Sequence, residues 1–171
     1  ELCHRYGVPL IINDNVEVAL KSGADGVHVG IEDAPVAEIR KRVPADFIIG
    51  ATCKTVEQAK AAEAAGADYM GVGAVFPSPT KTNAIRITNE QLQEIVSAVS
   101  IPAVAIGGIS YDNVLEIKGS KVSGVAVVSV AQTFPGSGSF PAGCRLLSGC
   151  CGGDCSGGYL GRCALSGAGP V

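Results

Sequence analysis

Short apolar runs alternate with longer stretches of helical character along most of this chain. Val8–Ile12, Gly26–Val29, Phe47–Gly50, Tyr69–Val72, Ala103–Ile106 and Gly124–Val128 are nearly continuous in apolar character. Runs of this kind, lacking the alternation of a half-solvated strand, predict strands buried on both faces of a parallel sheet. They recur roughly every 20 to 35 residues, the spacing that β/α units require. Helix starts fall between them. Thr55 with Gln58 and Thr88 with Gln91 fit the capping box, Asp33 and Ser110 suit N-caps, and Ala59–Ala65 is rich in strong helix formers.

The pattern also repeats in detail. Ser22–Gly30 (SGADGVHVG) returns as Ala65–Gly73 (AGADYMGVG), with a worn third copy over Ser120–Val128. Each copy is a helix end with its glycine stop, followed by a short strand, which is one step of a repeated β/α unit. Open doubly wound sheets and closed barrels both use this step. The first carries a glycine-rich turn after its first strand, which is not found here, so the expected fold is a (β/α)8 TIM barrel. Only about six of eight units are visible, and the two absent strands are expected on the amino-terminal side. The chain opens on Glu1, and Leu2–Pro9 reads as a helix end running into a strand. The natural start is therefore expected to lie upstream.

From Gln132 the periodicity stops. The expected organisation is a partial barrel over residues 1–131 and an irregular Gly/Cys-rich tail over 132–171, disordered or non-native, of the kind a wrong reading frame or a fused fragment would produce. Five of the seven cysteines, Cys144, Cys150, Cys151, Cys155 and Cys163, lie in that tail. They form no C-x-x-C pair and no histidine accompanies them, which argues against zinc.

Composition narrows the classes further. The net charge is −3 and no basic run occurs, so nothing points to nucleic acid. No apolar stretch approaches the roughly 20 residues of a membrane span, and a cytoplasmic location is the default expectation. With 47% apolar residues the chain can bury a sizeable core.

In β/α folds ligands sit at the carboxyl ends of the strands. The residues there are Asn13 and Asp14, Asp33, Thr52, Ser78-Pro79-Thr80-Lys81, Gly107-Gly108 and Ser129. Two carboxylates from adjacent strands, Asp14 and Asp33, are hard oxygen ligands suited to Mg²⁺ shared with a substrate's phosphates. The plainer alternative is that each only caps the helix that follows it. Gly107-Gly108 would let backbone N–H groups approach a phosphate, as barrels often do between their last two strands, although two glycines also make an ordinary tight turn. Lys81 could reach a phosphate as a point charge or remain a solvated loop lysine. His28, between two valines, faces away from them and reads as structural. Cys53 follows Thr52 and could be a nucleophile, but His4, the other histidine, belongs to the first helix end.

Leu10-Ile11-Ile12-Asn13-Asp14, Gly26–Asp33, Gly71–Lys81 with its Phe76-Pro77-Ser78-Pro79-Thr80-Lys81, and Val104–Ile109, in this order and spacing, resemble the thiamine-phosphate synthase family over Leu2 to about Ala131. The resemblance implies a (β/α)8 barrel that joins hydroxymethylpyrimidine diphosphate to a thiazole phosphate, giving thiamine phosphate and diphosphate with Mg²⁺ as cofactor. It implies that Asp14 and Asp33 hold Mg²⁺ and that Asn13, Thr52 and Lys81 contact the pyrimidine diphosphate, Lys81 and Thr52 at the reacting end. Ser78, Thr80, Gly107, Gly108, Val128 and Ser129 would hold the thiazole phosphate. The partners implied are these two small phosphorylated substrates.

Three departures from the family pattern stand out. The diphosphate-gripping Gln/Arg/Lys motif of the second family strand has no counterpart, Asn15 and Ile31 replace the usual Arg and Gln, and the tail replaces the closing helix. Two alternatives follow. A thiazole tautomerase-like barrel would lack the aspartate pair and carry a histidine base where this chain has Cys53-Lys54. An inactive fragment would at best bind phosphate, and its open sheet edges would favour association, including a homo-oligomer.

Overall fold

A computed structural model describes residues 1–77 and 86–127 of the chain. The elements in order are α1 (Leu2–Arg5), β1 (Ile11–Asn13), α2 (Val16–Ser22), β2 (Gly26–Val29), α3 (Val36–Arg40), β3 (Ile48–Cys53), α4 (Val56–Ala64), β4 (Tyr69–Val72), α5 (Asn89–Ser97), β5 (Ala103–Ile106), a 3-10 turn (Val114–Ile117) and β6 (Gly124–Ala126). All six expected strands form. β1 begins later than expected, at Ile11, and β3 runs on through Thr52 and Cys53.

The strands make one parallel sheet in the order β1-β2-β3-β4-β5-β6. Right-handed crossovers in a sheet that never reverses its direction of travel put every connecting helix on the same face. A doubly wound sheet would reverse and carry helices on both faces, so the chain is a TIM-barrel-like half-barrel. The helix-side core is made by Val27, Val29, Ile49, Met70 and Val72 from the strands, with Ala19, Ile39, Ala59, Leu92 and Ile95 from the helices, each at most 2% exposed. Among the described residues no helix is long and apolar enough to cross a membrane.

Parallel register aligns the opposite face in rows. Asn13 pairs with His28, His28 with Gly50 and Gly50 with Tyr69, and the next row holds Thr52, Gly71, Val104 and Gly124. Two bulky polar rings thus flank a glycine in the first row. A Cβ on Gly50 would lie 2.2 Å from Tyr69 Cζ, and one on Gly71 would lie 3.0 Å from His28 Cε1. The glycines supply the room that the rings occupy.

The repeated segment has a structural purpose at the other end of the sheet. The N–H groups of Asp25, Asp68 and Ser123, at equivalent positions of the three copies, donate to the carbonyls of Leu10, just before β1, of Ile49 in β3 and of Ala103 in β5. In the first two copies the aspartate carboxylate also accepts the N–H of the same residue, Leu10 at 2.6 Å and Ile49 at 2.7 Å. Arg40 adds to the second clamp, donating to Phe47 O, Gly66 O and Asp68 Oδ2. This is the amino-terminal edge, where barrels keep stability rather than chemistry. Asp68→Ala leaves the Ile49 N–H and the Arg40 guanidinium without their carboxylate acceptor. It should lower the unfolding free energy by about 1–3 kcal/mol in a urea titration.

Helix starts follow local chemistry with corrections. Thr88 and Gln91 form the expected capping box. Thr55 accepts the Gln58 N–H, but the Gln58 side chain reaches back to the Lys54 N–H. Asp33 and Ser110 are not N-caps. Pro35 holds the first of these positions and Asn113 the second, where the Asn113 side chain accepts the Ser110 N–H instead. Asn15, not Asp14, caps α2 by accepting the Val18 N–H at 2.9 Å.

Candidate functional site

The carboxyl end of β2 organises the polar residues of the site. The Asp14 N–H donates to the His28 carbonyl at 2.8 Å, which fixes the end of β1 against β2. Two residues past His28, the Gly30 N–H donates to Asp33 Oδ2 at 2.7 Å, which folds the Asp33 carboxylate back onto the strand end. Neither aspartate caps a helix, so the plain alternative offered for both is set aside. Asp14 also has φ +64, a left-handed conformation that only a few per cent of non-glycine residues adopt. Strain of this kind collects where a side chain must be aimed rather than merely accommodated.

Asn13 and His28 are register partners on the inner face, and Thr52 lies one strand further on. His28 is buried and bonded at both ring nitrogens. Its Nε2 lies 3.0 Å from Thr52 Oγ1 and its Nδ1 lies 3.0 Å from the Tyr69 hydroxyl. Burial pushes the His28 pKa from 6.5 down to about 4, against the opposing pull of the Asp33 carboxylate. Tyr69 was not among the expected site residues, and burial pushes the pKa of its phenol up.

The His28 shift has a consequence for stability. Between pH 6.5 and about 4 the unfolded chain binds a proton that the native imidazole refuses. Stability is therefore complete above 6.5, falls as pH drops through that window, and levels off below it. The full loss is about 3 kcal/mol. Denaturant midpoints measured across the window should show this slope, and His28→Gln should flatten it.

Cys53 is no nucleophile. It lies inside β3, 1% exposed on the helix side, and burial raises its thiol pKa to about 11. The thiolate is the reactive form, so the group is inert.

Gly107 and Gly108 follow β5 with φ +97 and +62. A Cβ on Gly107 would lie 2.6 Å from Ala74 Cβ, and one on Gly108 would lie 2.3 Å from the Pro77 carbonyl oxygen. The Phe76 N–H donates to Gly107 O, and Asn113 Nδ2 donates to Gly108 O at 2.9 Å. The pair thus packs directly beneath the loop that follows β4. Ser78, Thr80, Lys81, Val128 and Ser129 lie outside the described residues, as do the tail 132–171 and its cysteines.

Among the described residues no group of three or more His, Cys, Asp or Glu side chains stands together as a metal cage. Two carboxylates from adjacent strand ends, Asp14 after β1 and Asp33 after β2, would suit a hard cation that draws its remaining oxygen ligands from water and a phosphorylated substrate, the habit of Mg²⁺. The donor set fits that ion and does not suit zinc.

The model of the thiamine monophosphate synthase family matches residues 1–131. Thiamine-phosphate synthase of Caldivirga maquilingensis is 48% identical over 129 residues, covering 75% of this chain and 62% of the relative. That of Ruminiclostridium cellulolyticum is 50% identical over 125 residues, 73% of this chain and 60% of the relative. The solved thiamine phosphate pyrophosphorylase of Pyrococcus furiosus superposes with a TM-score of 0.71 at 42% identity, over 78% of this chain and 64% of that one. The chain therefore spans about three-fifths of the length of these curated relatives.

Proposed function

The chain belongs to the thiamine monophosphate synthase family, and on that premise we propose that it serves as a thiamine-phosphate synthase, a transferase of thiamine biosynthesis. It joins hydroxymethylpyrimidine diphosphate to a thiazole ethyl phosphate. The observation that carries this reading is the pair Asp14 and Asp33 at adjacent strand ends, Asp14 fixed by its N–H on the His28 carbonyl and Asp33 by its carboxylate on the Gly30 N–H. The complete fold on this reading is a closed (β/α)8 barrel, of which the described strands supply six. Its setting is the cytoplasm.

Asp14 and Asp33 would hold Mg²⁺, which when bound supplies positive charge to the leaving diphosphate. The bond between the pyrimidine methylene and the diphosphate oxygen breaks, with the electron pair leaving on diphosphate. The electron-rich aminopyrimidine carries the resulting cation, and the thiazole nitrogen then supplies the electron pair of the new C–N bond. The protein's part is electrostatic and positional, with no covalent nucleophile. Asn13, Thr52 and Lys81 orient the pyrimidine diphosphate, and Lys81 adds a positive charge near its phosphates. Gly107 and Gly108 let the thiazole phosphate approach the backbone, completed by Ser78, Thr80, Val128 and Ser129. The inert Cys53, standing where the tautomerase-like alternative would have its histidine base, speaks against that alternative.

Incubation of the chain with both substrates and Mg²⁺ should yield thiamine phosphate and stoichiometric diphosphate, and chelation of the metal should stop it. A folded chain that binds both substrates yet makes no product would overturn the proposal.

A further inference from the structure

We propose that Tyr69 and His28 form a positioning relay that fixes the Thr52 hydroxyl as a hydrogen-bond donor toward an acceptor atom of the pyrimidine diphosphate. The ligand half of this inference rests on the synthase reading above; the relay itself does not.

The argument is one of satisfiability. The Tyr69 hydroxyl lies over Gly50, where a Cβ would come within 2.4 Å of its oxygen, and its hydrogen-bond partner among the described residues is His28 Nδ1 at 3.0 Å. The Tyr69 phenol is half-buried with its oxygen against Nδ1, and a neutral imidazole accepts only at its unprotonated nitrogen. Tyr69 therefore donates to Nδ1, and the ring hydrogen resides on Nε2. From there it is donated to Thr52 Oγ1 at 3.0 Å. With one lone pair so occupied, the Thr52 O–H turns its own hydrogen away from the imidazole, into the space above the sheet's inner face.

The opposite polarity would place the hydrogen on Nδ1, turn the phenol hydrogen away from the ring and spend the Thr52 hydrogen on Nε2. Both rings lie over glycines, where a Cβ would meet them at 2.2 Å for Gly50 and 3.0 Å for Gly71.

The chain contains two histidines, so nitrogen NMR of the full chain labelled at histidine resolves His28 directly, with His28→Gln providing the assignment. The Nε2–H tautomer is expected, and the Nδ1–H tautomer would overturn the relay. Tyr69→Phe keeps the ring over Gly50 and removes only the donor. It should shift the tautomer balance and weaken hydroxymethylpyrimidine diphosphate binding about tenfold, as should Thr52→Val. Combined with Thr52→Val, Tyr69→Phe should cost nothing more, because it acts through that hydroxyl. Additive losses in the double variant would overturn a positioning role. If the wild-type chain shows the expected tautomer but fails to bind the pyrimidine diphosphate, the synthase reading fails and with it the ligand half, while the relay stands.

Discussion

Asp33→Asn should lower the rate of thiamine phosphate formation at least about a hundredfold, while leaving the fold intact. The substitution separates two roles of one carboxylate. Asp33 Oδ2 accepts the Gly30 N–H at 2.7 Å, and the amide oxygen of asparagine can accept the same hydrogen bond. The loop after β2 therefore keeps its anchor, and unfolding should change by no more than about 0.5 kcal/mol, the range of exposed substitutions without a structural mechanism. What disappears is the negative charge. If that charge holds Mg²⁺ against the leaving diphosphate, the loss falls on the bond-breaking step and on metal affinity, and raising Mg²⁺ should restore part of the rate. An Asp33→Asn chain with wild-type turnover at limiting Mg²⁺ would remove Asp33 from the metal site. A rate lost together with stability would reduce its role to holding Gly30.

The strands were legible because a parallel sheet is buried on both faces, so each one reads as an apolar run whichever way its side chains point. The errors lie where that logic lapses. At the carboxyl end of β3 the inner face turns polar, and Thr52 was placed after the strand although it continues the ladder opposite Gly71. At the amino end of β1, Val8 and Pro9 are apolar but precede the pairing. The aspartates were found from their position after the strands. Their competing role as caps could not be dismissed from sequence, because Asp14 takes the left-handed backbone with its N–H on the His28 carbonyl of the neighbouring strand, a contact that leaves Asn15 as the cap of α2.

The pairing of His28 with Tyr69 lay beyond any local spacing rule, since 41 residues and two crossovers separate them. A signal existed in the repeat. Aligning Gly26-Val27-His28-Val29-Gly30 with Tyr69-Met70-Gly71-Val72-Gly73 sets Gly26 against Tyr69 and His28 against Gly71. One copy has a ring where the other has a glycine. On the inner face of a parallel sheet, that exchange of large for small is how side chains from different strands share one layer.

Gly108→Ala is the substitution expected to cost most in stability, roughly 2–5 kcal/mol, from two causes that act independently. The backbone there has φ +62, a conformation that costs an alanine about 1–2 kcal/mol relative to a right-handed one. The new methyl would also stand 2.3 Å from the Pro77 carbonyl oxygen and 2.6 Å from that of Phe76. Both are backbone atoms, so relief requires the segment after β4 to move rather than a side chain to rotate. That segment is held by the Phe76 N–H to Gly107 O and by the Val75 N–H to Ile106 O, and its movement would loosen the end of β5 as well. The same displacement should weaken binding of the thiazole phosphate more than that of the pyrimidine diphosphate, because Asp14 and Asp33 sit on the far strands of the sheet. Denaturant unfolding and separate titrations of the two substrates measure these effects. Equal weakening of both would mean that the glycine pair supports the whole sheet, and an unchanged thiazole phosphate affinity would show that the phosphate does not rest there.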